Sequence, residues 1–264
     1  MASLLASRMV RAWLVVCGLL AAVVPVHAEG KECAMVLLHG KWSSTKYIAF
    51  FGRKMESVCD FKSLEMPWSE RRGYDQPYSA ALADIDAQVK DFRAQGYKRV
   101  VVAGHSFGAN AALAYMATIG DADAIVALAP GHSPGTMYER GIGRSVVDAA
   151  RGLVVAGKGE ELLDMEDFNQ GKKRSMRMRA DVLWSYFDPE GLGHMPKTAA
   201  GFKRSVPLLW VVGTGDPLFP QGADFAYSKA PPNPKSQYVV VNAGHGDTPD
   251  VAATQVAAWI KNLE

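Results

Sequence analysis

The chain lacks what would commit it to a membrane, to nucleic acid or to a metal. Its leading apolar run, residues 12–24, falls short of the roughly 20 residues that a bilayer-crossing helix needs. Neither sign of charge dominates, with 29 basic against 27 acidic residues, so no basic excess points to nucleic acid. Only three cysteines occur, at 17, 33 and 59, and no zinc-type Cys/His spacing accompanies them. No internal repeat or low-complexity tract interrupts the sequence. These scarcities leave a globular domain that implies no metal or organic cofactor, no nucleic acid partner and a small-molecule substrate.

The first 28 residues read as a secretory signal peptide. Arg8 and Arg11 precede the apolar run, and Val26-His27-Ala28 resembles a small-residue cleavage site before Glu29. The competing readings are a membrane anchor, for which the run is too short, and a lipid-modified Cys17, against which the bulky Val16 before it stands. Cleavage would leave residues 29–264 with 27 basic and 27 acidic side chains, no stable membrane span and an exported protein, periplasmic or secreted. Cys33 and Cys59 would then sit in an oxidising compartment, where an even pair tends to be joined. Two buried thiols are the alternative.

From residue 34 onward, apolar runs alternate with helical patterns. Strands are expected over 34–38, 61–66, 99–103, 124–128, 206–212 and 237–241. Helices are expected over 45–58, 79–95, 107–119, 221–229 and 249–263. Continuous apolar strands between helices predict an α/β fold: a mainly parallel sheet of about six strands with helices on both faces. The alternation breaks over residues 131–203. A stretch of that length inside a compact domain cannot be one structureless loop, and it reads as an inserted helical cap. Residues 29–264 are thus expected to form one domain carrying that insert.

The most informative segment is Gly104-His105-Ser106-Phe107-Gly108. It follows the strand RVVVA and opens a helix of small residues. In that setting G-x-S-x-G is a nucleophile elbow: the glycines permit a tight turn, the serine hydroxyl stands clear of the strand, and the next backbone N–H can face a developing oxyanion. The sequence contains its own control, Gly131-His132-Ser133-Pro134-Gly135. Pro134 stands where that N–H is needed and has none, so Ser133 reads as part of a turn leading into the insert.

With these residues in view the chain resembles the α/β-hydrolase family, over nearly all of residues 34–264. Leu37-Leu38-His39-Gly40 is similar to the family's HG element. The resemblance implies that the backbone N–H groups of Lys41 and Trp42, beside that of Phe107, form the oxyanion hole. Gly213-Thr214-Gly215-Asp216-Pro217 resembles the acid loop, and Asn242-Ala243-Gly244-His245-Gly246 the histidine loop. The family's order of Ser, acid, His is met. Ser106 is expected as nucleophile, His245 as general base and Asp216 as the acid that orients it. The chemistry fits these residue types. Serine needs an adjacent base, histidine takes and returns a proton near neutrality, and a buried carboxylate fixes the imidazole tautomer.

The expected activity is hydrolysis of an ester, thioester or related acyl bond through an acyl-enzyme. Acyl transfer on the same triad, or a non-catalytic binding protein on the same fold, are the alternatives. Asp188 is the rival acid, but it lies in the insert; Asp247 is too close to His245 along one loop. His39 and His105 read as structural, and His132 and His194 as surface or lining residues. Within the insert an acidic run (Glu160, Glu161, Asp164, Glu166, Asp167) precedes a basic one (Lys172, Lys173, Arg174, Arg177, Arg179). Two solvated helix faces that pair with each other is the plain reading; attraction of an anionic substrate or a lipid surface is the sharper one. Trp184, Tyr186 and Phe187 would either line an acyl pocket or staple the insert to the body, with the staple preferred.

Overall fold

The computed structural model describes residues 32–263; the signal-peptide reading of residues 1–28 lies outside the described residues. Six parallel strands form the central sheet: β1 (Cys33–Leu38), β2 (Asp60–Leu64), β3 (Arg99–His105), β4 (Ala124–Leu128), β7 (Leu208–Gly215) and β8 (Gln237–Gly244), in the order β2-β1-β3-β4-β7-β8. All five neighbouring pairs are parallel. Parallel strands need crossover connections, and the helices supply them.

Period-two alternation splits the core between the two sheet faces. Val100 and Val102 face one side with Val36, Ile125 and Trp210. Val101 and Ala103 face the other with Met35, Val126 and Val211. The second face is covered by α1 (Thr45–Met55) and α8 (Thr248–Lys261), whose buried residues include Ile48, Phe51 and Met55, and Val256, Trp259 and Ile260. Gly52 lets α1 approach closely, since a Cβ there would lie 2.5 Å from the Phe61 ring. Val251 is 53% exposed, and Ala252 and Ala253 complete the buried face. The first face is covered by α2 (Tyr78–Ala94) and α3 (Phe107–Thr118). The small side chains of α3 let it sink completely, and Phe107 through Met116 are all buried.

Cys33 and Cys59 are disulfide-bonded. The register explains why. Ala34 pairs with Asp60 across β1 and β2, so the residues just before them lie side by side at the N-terminal edge of neighbouring strands.

Between β4 and β7 the chain forms α4 (Pro134–Glu139), α5 (Arg144–Val155), β5 (Leu162–Asn169), β6 (Lys172–Arg179), α6 (Ala180–Phe187) and α7 (Met195–Ala200). The insert carries the expected helices and adds to them an antiparallel hairpin of β5 and β6. Gln170 and Gly171 connect them, both with positive φ, the requirement of a two-residue hairpin turn whose twist matches the strands. The acidic and basic runs therefore lie on paired strands rather than helices. Asp164 stands opposite Arg177 and Asp167 opposite Arg174 in the register. A second difference concerns residues 221–229: in place of one short helix, three single 3-10 turns cover 219–221, 223–225 and 227–229.

Candidate active site

The C-terminal ends of β3, β7 and β8 carry Ser106, Asp216 and His245 to one edge of the sheet, the usual place for ligands in open α/β folds. Ser106 has φ 57° and ψ −118° between strand β3 and helix α3. A non-glycine residue holds such a conformation only when its surroundings enforce it. The enforcement is close packing. A Cβ on Gly104 would lie 2.2 Å from the Gly108 backbone, and one on Gly108 would lie 2.2 Å from the Leu38 carbonyl oxygen. The second G-x-S-x-G differs: Ser133 has φ −114° and precedes a proline that starts α4.

Asp216 is 4% exposed, and both of its carboxylate oxygens are used. Oδ2 lies 2.6 Å from His245 Nδ1, and Oδ1 accepts the Leu218 N–H at 2.7 Å. The glycines before Asp216 make this approach possible, since a Cβ on Gly213 would lie 2.3 Å from the Ala243 carbonyl oxygen. Asp188 instead accepts from the Glu190 N–H within its own turn, and Asp247 is exposed.

The histidine loop is pinned at three successive carbonyls. Thr248 donates to Gly244 O at 2.8 Å, His105 Nε2–H to His245 O at 2.9 Å, and Tyr47 to Gly246 O at 2.6 Å. This holds the imidazole in place through its own backbone. Burial, with the neighbouring His245 second, lowers the pKa of His105 to about 4, so its ring is neutral near pH 7. Its Nε2–H donates, leaving Nδ1 unprotonated.

His245 Nε2 is buried with no hydrogen-bond partner among the described residues. Ser106 and His245 nonetheless converge, because a Cβ on Gly131 would lie 2.8 Å from Ser106 Oγ and 3.5 Å from His245 Cε1. In a ligand-free site a serine and histidine arranged for catalysis often lack a mutual hydrogen bond, which tightens only when substrate arrives.

Gly40 lies against Ser106: its Cβ would be 3.1 Å from Ser106 Cβ. The loop then turns through Trp42 at φ 56°, closed by the Ser43 N–H to Gly40 O bond at 3.2 Å. The backbone N–H groups of Lys41 and Phe107 have no acceptor among the described residues, whereas that of Trp42 donates to Trp68 O at 2.8 Å. Trp42 is therefore removed from the expected oxyanion set, because its amide is already spent.

Several supporting contacts were not readable from the sequence. The Lys41 ammonium is buried and donates to Asp167 Oδ1 at 2.7 Å and to Phe168 O at 3.2 Å. Burial lowers its pKa, and Asp167 partly offsets that. Tyr74 donates to Asp167 Oδ2 at 2.9 Å, and Asn169 to Lys41 O at 3.0 Å. The loop after β1 is thus tied to the hairpin by hydrogen bonds from both sides. Phe107 is stacked between Trp68 at 4.5 Å and His132 at 3.9 Å. Tyr186 and Phe187 are buried in the same aromatic group, in keeping with the staple reading. Trp184 is only partly buried and packs beside it. His39 is structural, its Nδ1–H donating to Gly40 O and its Nε2 accepting the Met66 N–H. Among the described residues no group of three or more His, Cys, Asp or Glu could hold a metal ion, and no helix is long and apolar enough to cross a membrane.

The sequence profile described as the alpha/beta hydrolase family matches residues 35–259. The chain belongs to the alpha/beta hydrolase family. Solved structures show the same fold at low identity. A monoacylglycerol lipase from Paleococcus ferrophilus is 18% identical with a TM-score of 0.62, covering 89% of this chain and 97% of its own. A soluble variant of monoglyceride lipase from Saccharomyces cerevisiae is 13% identical with a TM-score of 0.60, covering 88% of this chain and 87% of its own. A highly thermostable carboxyl esterase from Bacillus coagulans is 12% identical with a TM-score of 0.61, covering 89% of this chain and 91% of its own. Among curated proteins, none matches this hydrolase.

Proposed function

We propose that this hydrolase cleaves an ester, thioester or related acyl bond through an acyl-enzyme on Ser106, outside the cytoplasm. The observation that carries the reading is the buried Asp216–His245 pair at 2.6 Å, converging with a serine held at φ 57°. Ser106 Oγ attacks the acyl carbonyl while its proton passes to His245 Nε2. Asp216 keeps the Nδ1 proton in place and stabilises the imidazolium. The Phe107 and Lys41 amides, both without acceptors, receive the oxyanion. Collapse of the tetrahedral intermediate expels the leaving group, which takes the proton from Nε2. Water then repeats the sequence against the acyl-serine and restores Ser106. The lipase and esterase neighbours support ester chemistry. For export, the bridge between Cys33 and Cys59 supports an oxidising compartment.

A fluorophosphonate probe tests the assignment. Wild type is expected to label and to hydrolyse p-nitrophenyl esters; Ser106→Ala is expected to lose both, and Ser133→Ala to keep labelling. Labelling that persists in Ser106→Ala refutes the nucleophile. A folded wild type that neither labels nor turns over ester refutes the enzyme reading.

A further inference from the structure

Tyr186 and Phe187 of the insert do not line an acyl channel. Tyr186 and Phe187 are closed into the core with Trp68, Tyr78 and Phe107. The space beside the triad pair is instead a small cleft of about 190 Å³, below the usual range for drug-sized ligands. Its wall carries hydroxyl, amide and guanidinium groups: Ser133, Thr136, Gln170, Gln221 and Arg140. Asp216 lines it too, but both its oxygens are already engaged. Leu218 and two prolines supply the apolar remainder. A cleft of that size leaves little room for a long alkyl chain.

Arg140 caps the end of α4. Its backbone N–H bonds to Thr136 O, while its guanidinium has no ion pair or hydrogen bond among the described residues, although many other surface cations are paired. Arg140 also borders a larger adjoining cavity of about 540 Å³, together with Ser133, Thr136 and Gln221. That outer space brings in two carboxylates, Glu139 and Glu190, absent from the lining of the inner cleft. Arg140 thus borders both spaces: in the inner one its charge faces only the Asp216 carboxylate, which His245 and the Leu218 N–H engage, and in the outer one two further carboxylates stand beside it. An anionic group meets a free guanidinium in the inner cleft and repelling carboxylates farther out. Guanidinium forks recognise carboxylates in bidentate geometry.

We infer that the substrate is a short ester bearing a carboxylate near the scissile bond, held by Arg140 in the inner cleft. This rests on the serine-hydrolase reading above and extends it to substrate class.

The test uses two pairs of esters that differ only in charge. For the acyl side, the p-nitrophenyl monoester of adipic acid is compared with its methyl-capped diester. For the leaving-group side, the butyrate of 4-hydroxybenzoate is compared with that of methyl 4-hydroxybenzoate. Wild type is expected to favour the charged member of at least one pair by about tenfold or more in kcat/KM, less so at high salt, where exposed charges are screened. Arg140→Gln is expected to lose that preference, and Arg140→Lys to keep part of it, with melting temperatures near wild type. Equal kcat/KM within both pairs for wild type overturns the inference, as does a preference undiminished in Arg140→Gln. If wild-type Ser106 labels with a neutral fluorophosphonate while charge has no effect, the substrate class alone fails. If nothing labels and no ester turns over, the hydrolase reading fails and takes this inference with it.

Discussion

Removing the Asp167 carboxylate is expected to damage both stability and turnover. The Lys41–Asp167 side chains are 4% and 0% exposed, and the pair joins the loop after β1 to strand β5. In Asp167→Ala the Lys41 ammonium stays buried with the Phe168 carbonyl at 3.2 Å and two ring faces at 5.4 and 5.9 Å. Tyr74 also loses its acceptor. Breaking a buried ion pair from one side costs about 3–5 kcal/mol. For a domain of this size that lowers the melting temperature by on the order of 10 °C. Lys41→Met is expected to cost less, because Asp167 keeps the Tyr74 hydroxyl at 2.9 Å and the Phe168 N–H at 2.8 Å. The triple change Lys41→Met, Tyr74→Phe, Asp167→Leu removes every charged or hydroxyl partner together and is expected to recover most of the loss, as apolar replacements of buried pairs often do. Differential scanning calorimetry reads the stability, and p-nitrophenyl ester hydrolysis the turnover. Because Lys41 supplies a candidate oxyanion amide, Asp167→Ala is expected to lower kcat more than it raises KM. A melting temperature within 2 °C of wild type, with kcat unchanged, refutes the reasoning.

Acid should weaken the fold before most carboxylates titrate. His105 has its pKa lowered to about 4, and burial also lowers His39 and His132. With folded values below the unfolded one, the unfolded chain binds more protons, so stability is full above about pH 6.5 and falls as pH drops towards 4. For His105 the loss is on the order of 3 kcal/mol. Urea midpoints between pH 7 and 4 check it, and midpoints that stay level or rise would refute it. Gly131→Ala places a methyl 2.8 Å from Ser106 Oγ and is expected to cut kcat/KM by about 100-fold with little change in melting temperature; full activity would show that the serine is placed otherwise. Cys33→Ser with Cys59→Ser opens a bridge between residues 26 apart and is expected to cost about 3.5 kcal/mol in the chain-entropy model. Two free thiols in unfolded, non-reduced protein would remove its basis.

The sheet and the convergence of Ser106, Asp216 and His245 were legible because each rests on a local signal. Strands such as RVVVA are continuous apolar runs, and each candidate residue lies in a glycine-rich loop just past a strand. The hairpin was missed although its pattern was present. Met165 and Asp167 are buried on either side of exposed Glu166, and Met176 and Met178 between exposed Ser175, Arg177 and Arg179. That is the period of a strand, but charge this dense fits solvent-facing helices equally well. Asp167 was hidden among its acidic neighbours, since nothing local separates a carboxylate aimed at a lysine 126 residues away from one aimed at water. Trp42 failed for a related reason: a motif names the residue whose amide could donate, and only the fold reveals that Trp68 has taken it.

The hairpin also sets how the pocket can change. Its turn residue Gln170 lines the inner cleft, while one and three residues before it Asn169 and Asp167 of β5 grip Lys41, whose amide is a candidate for receiving negative charge in the reaction. Wall and reaction centre therefore share one strut. A substitution that swings the turn outward to admit a bulkier substrate also pulls on the loop beside Ser106, so gains in breadth would come coupled to losses in rate. Changes on α4, around Thr136 and Arg140, reshape the cleft from its opposite bank without touching that strut. New substrate preferences are thus most accessible from the α4 side.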